Sequence, residues 1–256
     1  MINEYKIYAI KYAGPLTSSG STIMWNKDWE KVANRNYYIW CIMGCGETII
    51  VDTGVAPPLA KKLKLTGYIN PVEILSRIDV KANEVQRVIL SHLHFDHSNG
   101  ACLFPNAIFY IQEEEYRFWL KDRMASRPPF KSYLDEVSKT YLRSLDGTDR
   151  LSLLKGDQPV IPGVECLLAA GHSIANQAVA VNTNKGTAIL GSDCAHFFRN
   201  YQEDWPSIFI IDLVEWMKTY DKLRAKVSSM DLLFPGHDPI MTDAYPKIAE
   251  GITRLV

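Results

Sequence analysis

The strongest constraint on this chain lies in six consecutive residues. Behind the apolar run Arg87–Leu90 and Ser91 comes His92-Leu93-His94-Phe95-Asp96-His97. Half of the chain's six histidines stand inside this one stretch. In extended backbone residues i and i+2 face the same way, so His92 and His94 point together while Leu93 turns to the core. Asp96 continues that face, and His97 breaks the alternation, which predicts a turn there. Packing needs neither three imidazoles nor a carboxylate so close together, and burying them without partners is costly. One short loop of this kind offers two ligands to one cation and two to a second about 3.5–4 Å away. Imidazole with carboxylate suits zinc, with iron or manganese as the other candidates.

Further ligands must come from elsewhere in the chain. Gly171-His172-Ser173 follows the apolar run Val164–Leu168, and Gly191-Ser192-Asp193 follows Thr187–Leu190. Pro235-Gly236-His237-Asp238 follows Asp231–Phe234. Each polar residue stands just past a predicted strand, beside a glycine that permits a tight turn. Four strand exits with the same chemistry imply one shared site.

The chain has 256 residues, enough for one large α/β domain, and we expect a single domain over residues 1–256. Its 28 basic and 29 acidic residues leave a formal charge of -1, which argues against a nucleic-acid partner. No apolar run is long enough to span a membrane. Met1-Ile2-Asn3-Glu4-Tyr5-Lys6 does not read as a secretory signal. The five cysteines, 41, 45, 102, 166 and 194, include no C-x-x-C pair. We expect reduced, mostly buried thiols and a cytoplasmic protein.

Strands are expected at Tyr5–Ile10, Tyr37–Met43, Thr48–Val51, Arg87–Leu90, Ala107–Ile111 and Leu151–Leu154. Further strands fall at Val164–Leu168, Ala178–Val181, Thr187–Leu190 and Asp231–Phe234. Helices are expected at Pro71–Ile78 capped by Asn70, at Gln112–Lys121, in part of residues 122–150, and near Leu213–Val227. The polar segment 14–36, with Trp25 and Trp29, reads as a long loop or lid. Strands in each half with helices between and after them fit two packed sheets with helices outside.

At this point the pattern resembles the metallo-β-lactamase superfamily. His92-x-His94-x-Asp96-His97, then His172, Asp193 and His237, stand in that family's order, and Asp52-Thr53-Gly54 matches its strand-end Asp. The resemblance runs from about Tyr37 to His237. It implies an α/β fold, the αβ/βα four-layer sandwich, with two divalent metal ions between the sheets at one edge. It implies that His92, His94 and His172 bind the first metal, that Asp96, His97 and His237 bind the second, and that Asp193 bridges both. Asp52 would support the site from behind the ligands.

Within the superfamily the chain is similar to the N-acyl homoserine lactone lactonases and the pyridoxolactonase-type hydrolases. That resemblance implies a lactone or related ester as substrate, a metal-activated water that attacks its carbonyl, and a homodimer. Metal coordination lowers the pKa of water toward about 7. Asp96 is then the candidate to carry a proton to the leaving oxygen. These lactonases commonly carry a Tyr three residues after the bridging Asp, and here that position is His196, a candidate donor to the carbonyl oxygen. Ala169-Ala170 stands where a Thr-Pro is common. Trp25, Trp29, Phe197, Phe198, Trp205 and Phe209 are candidates for an apolar pocket, and Lys121, Arg123, Arg127 or Arg199 for holding a substrate carboxylate. Cys194 is a candidate ligand or a packed thiol, and Cys41 and Cys45 are expected on one strand face in the core. Competing functions are a thioesterase of the glyoxalase II type, a phosphodiesterase, which the neutral charge disfavours, and a non-enzymatic metal-binding or redox module. Relatives of that last kind replace the second His of the cluster with Glu, whereas this chain keeps His94.

Overall fold

A computed structural model of the chain describes residues 3–256; Met1 and Ile2, the start of the segment read above as non-secretory, lie outside the described residues. Thirteen strands occur among the described residues: β1 Lys6–Ser19, β2 Val32–Gly44, β3 Glu47–Val51, β4 Arg87–Ile89, β5 Ile108–Gln112, β6 Leu151–Leu154, β7 Gln158–Ile161, β8 Val164–Leu168, β9 Gln177–Thr183, β10 Gly186–Ser192, β11 Leu233–Pro235, β12 Lys247–Ala249 and β13 Ile252–Arg254. They form two sheets, ordered β12-β13-β1-β2-β3-β4-β5-β6 and β11-β10-β9-β8-β7. Strands β3 to β6 run parallel, as do β10 and β11, so the chain crosses over between them and their carboxyl ends gather at one edge.

Burial follows the two-sided packing of these sheets. On β2, Tyr38, Trp40 and Ile42 face the second sheet, where Val164, Cys166, Val179, Leu190 and Phe234 meet them. Tyr37, Ile39 and Cys41, which alternate with them, face the outer helices and pack with Ile74, Leu75, Trp119 and Leu142. Beyond the second sheet, Ala178, Ala180 and Ile189 pack on Trp216, Tyr220 and Leu223 of the helix Leu213–Lys226. Strands buried on both faces read as continuous apolar runs, and that makes four layers, helix on sheet on sheet on helix. Asn70 caps the helix Pro71–Ser76 by accepting from the Val72 N–H, and Asp135 caps Glu136–Ser144 in the same way. Among the described residues no helix is long and apolar enough to cross a membrane.

The segment 14–36 is not a long loop. β1 runs on to Ser19 and β2 begins at Val32, and the two extend as a paired arm with Leu16 opposite Arg35 and Ser19 opposite Val32. Backbone pairing holds this arm while its side chains alternate toward water, so the apolar signal that marks a core strand is missing. Only the short helix Gly20–Ile23 and the residues after it join the strands. The sequence reading also omitted the helix Pro57–Leu63, β7 and the terminal pair β12–β13. Cys45 leaves the shared face expected with Cys41: it sits at positive φ in the β2–β3 turn and is exposed. Cys41, Cys166 and Cys194 are buried, and Cys45 and Cys102 are not.

Candidate metal centre

Four strands and one short helix deliver the polar cluster to one edge of the sandwich. Past β4 the chain stays extended through His94, then turns into the helix Phe95–Ser98, which redirects Asp96 and His97 and brings the His97 ring to 4.2 Å from that of His92. His172 follows β8 through Gly171, at φ 136°, where a Cβ would lie 2.4 Å from the Trp216 side chain. Asp193 follows β10, and His237 follows β11. Gly236 is needed there, because a Cβ at that position would lie 2.2 Å from Asp193 Oδ1.

Four trios of ligand atoms result among the described residues: two include Asp193, one with His92 and His97 and one with His172 and His196, and two do not, His92 with His94 and His172, and Asp96 with His97 and His237. Within each trio the donor atoms lie within 4.8 Å of one another. Asp193 stands between the last two. Its Oδ2 is 3.4 Å from His172 Nε2, and its Oδ1 is 3.4 Å from His97 Nε2 and 3.1 Å from His237 Nε2. His94 Nδ1 and His172 Nε2 approach to 3.1 Å. His92 Nε2, His97 Nε2 and Asp193 Oδ1 are buried with no hydrogen-bond partner. Buried nitrogens without partners are costly, and a cation held among them accounts for all three. The donor set fits two divalent ions on chemistry as well as geometry.

The rear nitrogens of three of the rings are tied down, as is usual for metal-binding histidines, while that of His172 is buried without a partner. His97 Nδ1 lies 2.7 Å from Asp52 Oδ2, His92 Nδ1 lies 3.0 Å from Ser91 Oγ, and His237 Nδ1 donates to the Asn36 carbonyl at 2.8 Å. Asp52 also accepts from the Ser91 N–H, the Ser91 hydroxyl and the Ser192 hydroxyl. Glu115, fully buried, joins the two ligand loops: it accepts from the Leu93 N–H at 3.0 Å, the Ser173 hydroxyl at 2.7 Å and the Ala175 N–H at 3.0 Å.

Burial holds His92 and His94 well below the usual imidazole range and pushes His172 down to about 3, so all three are neutral ligands at neutral pH. Burial acts on His97 too, but Asp193, Asp96 and Asp52 outweigh it and raise it well above that range. Burial opposes ionisation of Asp193, yet His237, His97 and His196 outweigh it and hold the carboxyl well below the usual value.

The cleft over this centre is lined by Arg35, Tyr37, Phe95, Tyr133, His196 and Phe209 besides the ligand candidates. Tyr133 stacks on His94 with centroids 4.7 Å apart, and Phe209 sits beside His172 and His196. His196 is buried, with Nε2 3.2 Å from Asp193 Oδ2 and 3.3 Å from Ser207 Oγ. Of the aromatics expected around the cleft only Phe209 is there; Trp29 is 65% exposed, and Trp205 lies under Lys27. Arg199 binds Asp28 and Glu203, Lys121 binds Asp146, and the cation at the cleft is Arg35. Cys194 is packed against Asn176 and belongs to none of the ligand groups. Sequence reasoning missed Arg35, Tyr37, Tyr133 and Glu115. For Arg35 the only signal was an arginine in a segment taken for a loop, and for Glu115 a glutamate one turn into a helix otherwise read for its dipole.

Residues 32–173 match the family model described as the metallo-beta-lactamase superfamily. An N-acyl homoserine lactonase of Bacillus cereus is 29% identical over 222 residues, covering 79% of this chain and 82% of the relative. The N-acyl homoserine lactonase AttM of Rhizobium radiobacter is 27% identical over 171 residues, covering 65% and 63%. Among solved structures, a quorum-quenching N-acyl homoserine lactone lactonase superposes with a TM-score of 0.78 at 24% identity, over 97% of this chain and 98% of that one. The dizinc quorum-quenching lactonase AidC, with a ring-opened product bound, superposes with a TM-score of 0.72 at 16% identity, over 93% and 89%. These likenesses carry the fold.

Proposed function

The chain belongs to the metallo-beta-lactamase superfamily, and we propose that it is a single-domain, dinuclear metal-dependent hydrolase that opens the ester bond of a lactone. The observation that carries this reading is Asp193, whose Oδ2 lies 3.4 Å from His172 of one trio and whose Oδ1 lies 3.4 Å from His97 of the other, with His237 beside both oxygens. His92, His94 and His172 would hold one ion, Asp96, His97 and His237 the other, and Asp193 both; we take zinc as the metal. The chemistry that two bound divalent ions would supply there is polarisation of an ester carbonyl and activation of water near neutral pH.

The chain's own residues do the rest. Tyr133, Phe95 and Phe209 cover the cleft, exclude water and orient the ring. His196, beside Asp193 and lining the cleft, donates a hydrogen bond to the developing oxyanion. Asp96, the most exposed of the ligand candidates, carries a proton to the leaving-group oxygen. An apolar cavity of about 780 Å³, bordered by Leu59, Leu63, Leu103 and Leu134, shares Phe95 with the cleft, and there we place an acyl group. The related N-acyl homoserine lactonases act on substrates of that kind by name. Free cysteines throughout fit a reducing compartment, which we take to be the cytoplasm.

The test is a panel of homoserine lactones, aromatic lactones and thioesters offered to the zinc- and manganese-loaded protein, with metal counted per chain. Two metals and a preference for lactones are expected. A protein that ignores every lactone and cleaves thioesters belongs to the glyoxalase II type instead.

A further inference from the structure

Among the half-buried arginines of the described residues, Arg35 stands apart. Arg77, Arg87, Arg150, Arg199, Arg224 and Arg254 are half-buried like it, and each bonds to a carboxylate or a carbonyl of the chain. Among the described residues the Arg35 side chain forms no ion pair, and its Nε is buried with no hydrogen-bond partner. Its guanidinium carbon lies 5.5 Å from the Tyr37 ring, which faces His237 edge-on. Strand β2 fixes its place: the Asn36 N–H donates to the His237 carbonyl at 3.0 Å, and the Asn36 carbonyl accepts from His237 Nδ1 at 2.8 Å. The unpaired cation is therefore locked beside the candidate metal centre and lines its cleft.

A half-buried charge without a counter-charge is costly, and cations bound at the centre add to it, because Asp96 and Asp193 are the only carboxylates lining the cleft among the described residues. A neutral carbonyl satisfies an N–H but leaves the charge. A carboxylate satisfies both, through the two-pronged geometry that a guanidinium offers. We infer that Arg35 anchors a carboxylate of the substrate, so that this cleft takes acidic lactones or esters in preference to neutral ones. The preference rests on the lactone-hydrolase reading given above; the anchor does not.

The test separates the two. Malonate, succinate, glutarate and adipate, each paired with a monocarboxylate of similar length, are titrated calorimetrically into the zinc-loaded protein. A monocarboxylate reaches the metals alone, whereas a dicarboxylate of the right span reaches Arg35 as well. At least one dicarboxylate should bind ~10–100-fold more tightly than its monocarboxylate, the range for a charge-assisted, partly buried contact. Arg35→Gln should remove that gain and leave monocarboxylate binding and metal content as they were. Arg35→Lys, which keeps the charge without the fork, should retain part of the gain, and it serves if the Gln variant does not fold. In parallel, the kcat/KM ratio of an acidic lactone to a matched neutral lactone should fall toward unity in Arg35→Gln. A series in which no dicarboxylate gains, or a gain that survives in Arg35→Gln, overturns the anchor. A gain that depends on Arg35 in a protein that opens no lactone overturns the hydrolase reading and leaves the anchor standing.

Discussion

His97 Nδ1 meets Asp52 Oδ2 across 2.7 Å, with both side chains sealed from solvent. The contact keeps a proton on Nδ1 and turns Nε2 toward Asp193 and Asp96, which is the tautomer that offers Nε2 to a metal. Asp52→Asn keeps the size but removes the charge that sets this tautomer. Metal affinity at the trio of Asp96, His97 and His237 should fall ~10–100-fold, while the trio of His92, His94 and His172 changes little. Competition with a chromogenic chelator resolves the two sites, and equal affinities in wild type and variant would refute the role.

Glu115 acts on the other trio without touching it. Its carboxylate accepts from Leu93, between His92 and His94, and from Ser173, beside His172. Trp119 donates to the same Ser173 hydroxyl and packs edge-on against His94. Glu115→Gln turns one accepting oxygen into a donor that faces other donors. The cost should be ~1–3 kcal/mol, or a melting temperature lower by roughly 2–12 °C. An unchanged melting temperature would show that the network is incidental.

The core of the site was legible in the sequence because its residues are local. His92, His94, Asp96 and His97 share one loop, and the glycines before His172, Asp193 and His237 announced tight strand exits. What escaped depends on contacts distant in sequence. Arg35 reaches the cleft only because β2 extends as an arm paired with β1, and its polar alternation resembles a loop. Glu115 meets Ser173 across 58 residues, and Tyr133 reaches His94 from a segment without clear periodicity. Helix Pro57–Leu63 did leave a signal, two prolines at its first turn, but it buries only Ala60 and so shows little apolar pattern.

Acid should destabilise the metal-free protein before it affects an ordinary chain. Burial depresses His92, His94 and His172, the last to about 3. Below about pH 6.5 the unfolded imidazoles take up protons that the folded ones refuse, so each lowers stability by ~1.4 kcal/mol per pH unit as the pH falls. His97 has the opposite sign: Asp193, Asp96 and Asp52 raise it, so its contribution is complete below its unfolded value and is lost as the pH rises through the folded one. Burial lowers His196 as well, so four groups outweigh one. The melting temperature of chelator-treated protein should drop from pH 7 to pH 5, and a flat profile would contradict the burial of these rings.

Asp193 has no substitute at its position. Its Oδ2 faces His172 and its Oδ1 faces His97, with His237 beside both, and an amide offers one carbonyl oxygen and no charge. Asp193→Asn should lower metal content below two per chain and reduce kcat by more than ~10-fold, equivalent to ~1.4 kcal/mol. Retention of both metals with more than a tenth of the wild-type rate would remove Asp193 from its bridging role.

His196 has two accessible roles. Its Nε2 lies 3.2 Å from Asp193 Oδ2 and 3.3 Å from Ser207 Oγ, while its Nδ1 is buried without a partner. In the first role the ring donates to the oxyanion, and His196→Ala lowers kcat on a preferred lactone by ~10–1000-fold, or ~1.4–4 kcal/mol, with both metals retained. In the second it only holds Asp193, and His196→Ala loses metal first and rate in proportion. His196→Tyr distinguishes them further, since a hydroxyl in the same place can donate but cannot reproduce the ring contact with Asp193. Partial rescue of kcat by Tyr at constant metal content identifies the donor. A metal-replete, fully active His196→Ala protein would exclude both roles, and metal analysis with a thermal melt on each variant separates that outcome from simple unfolding.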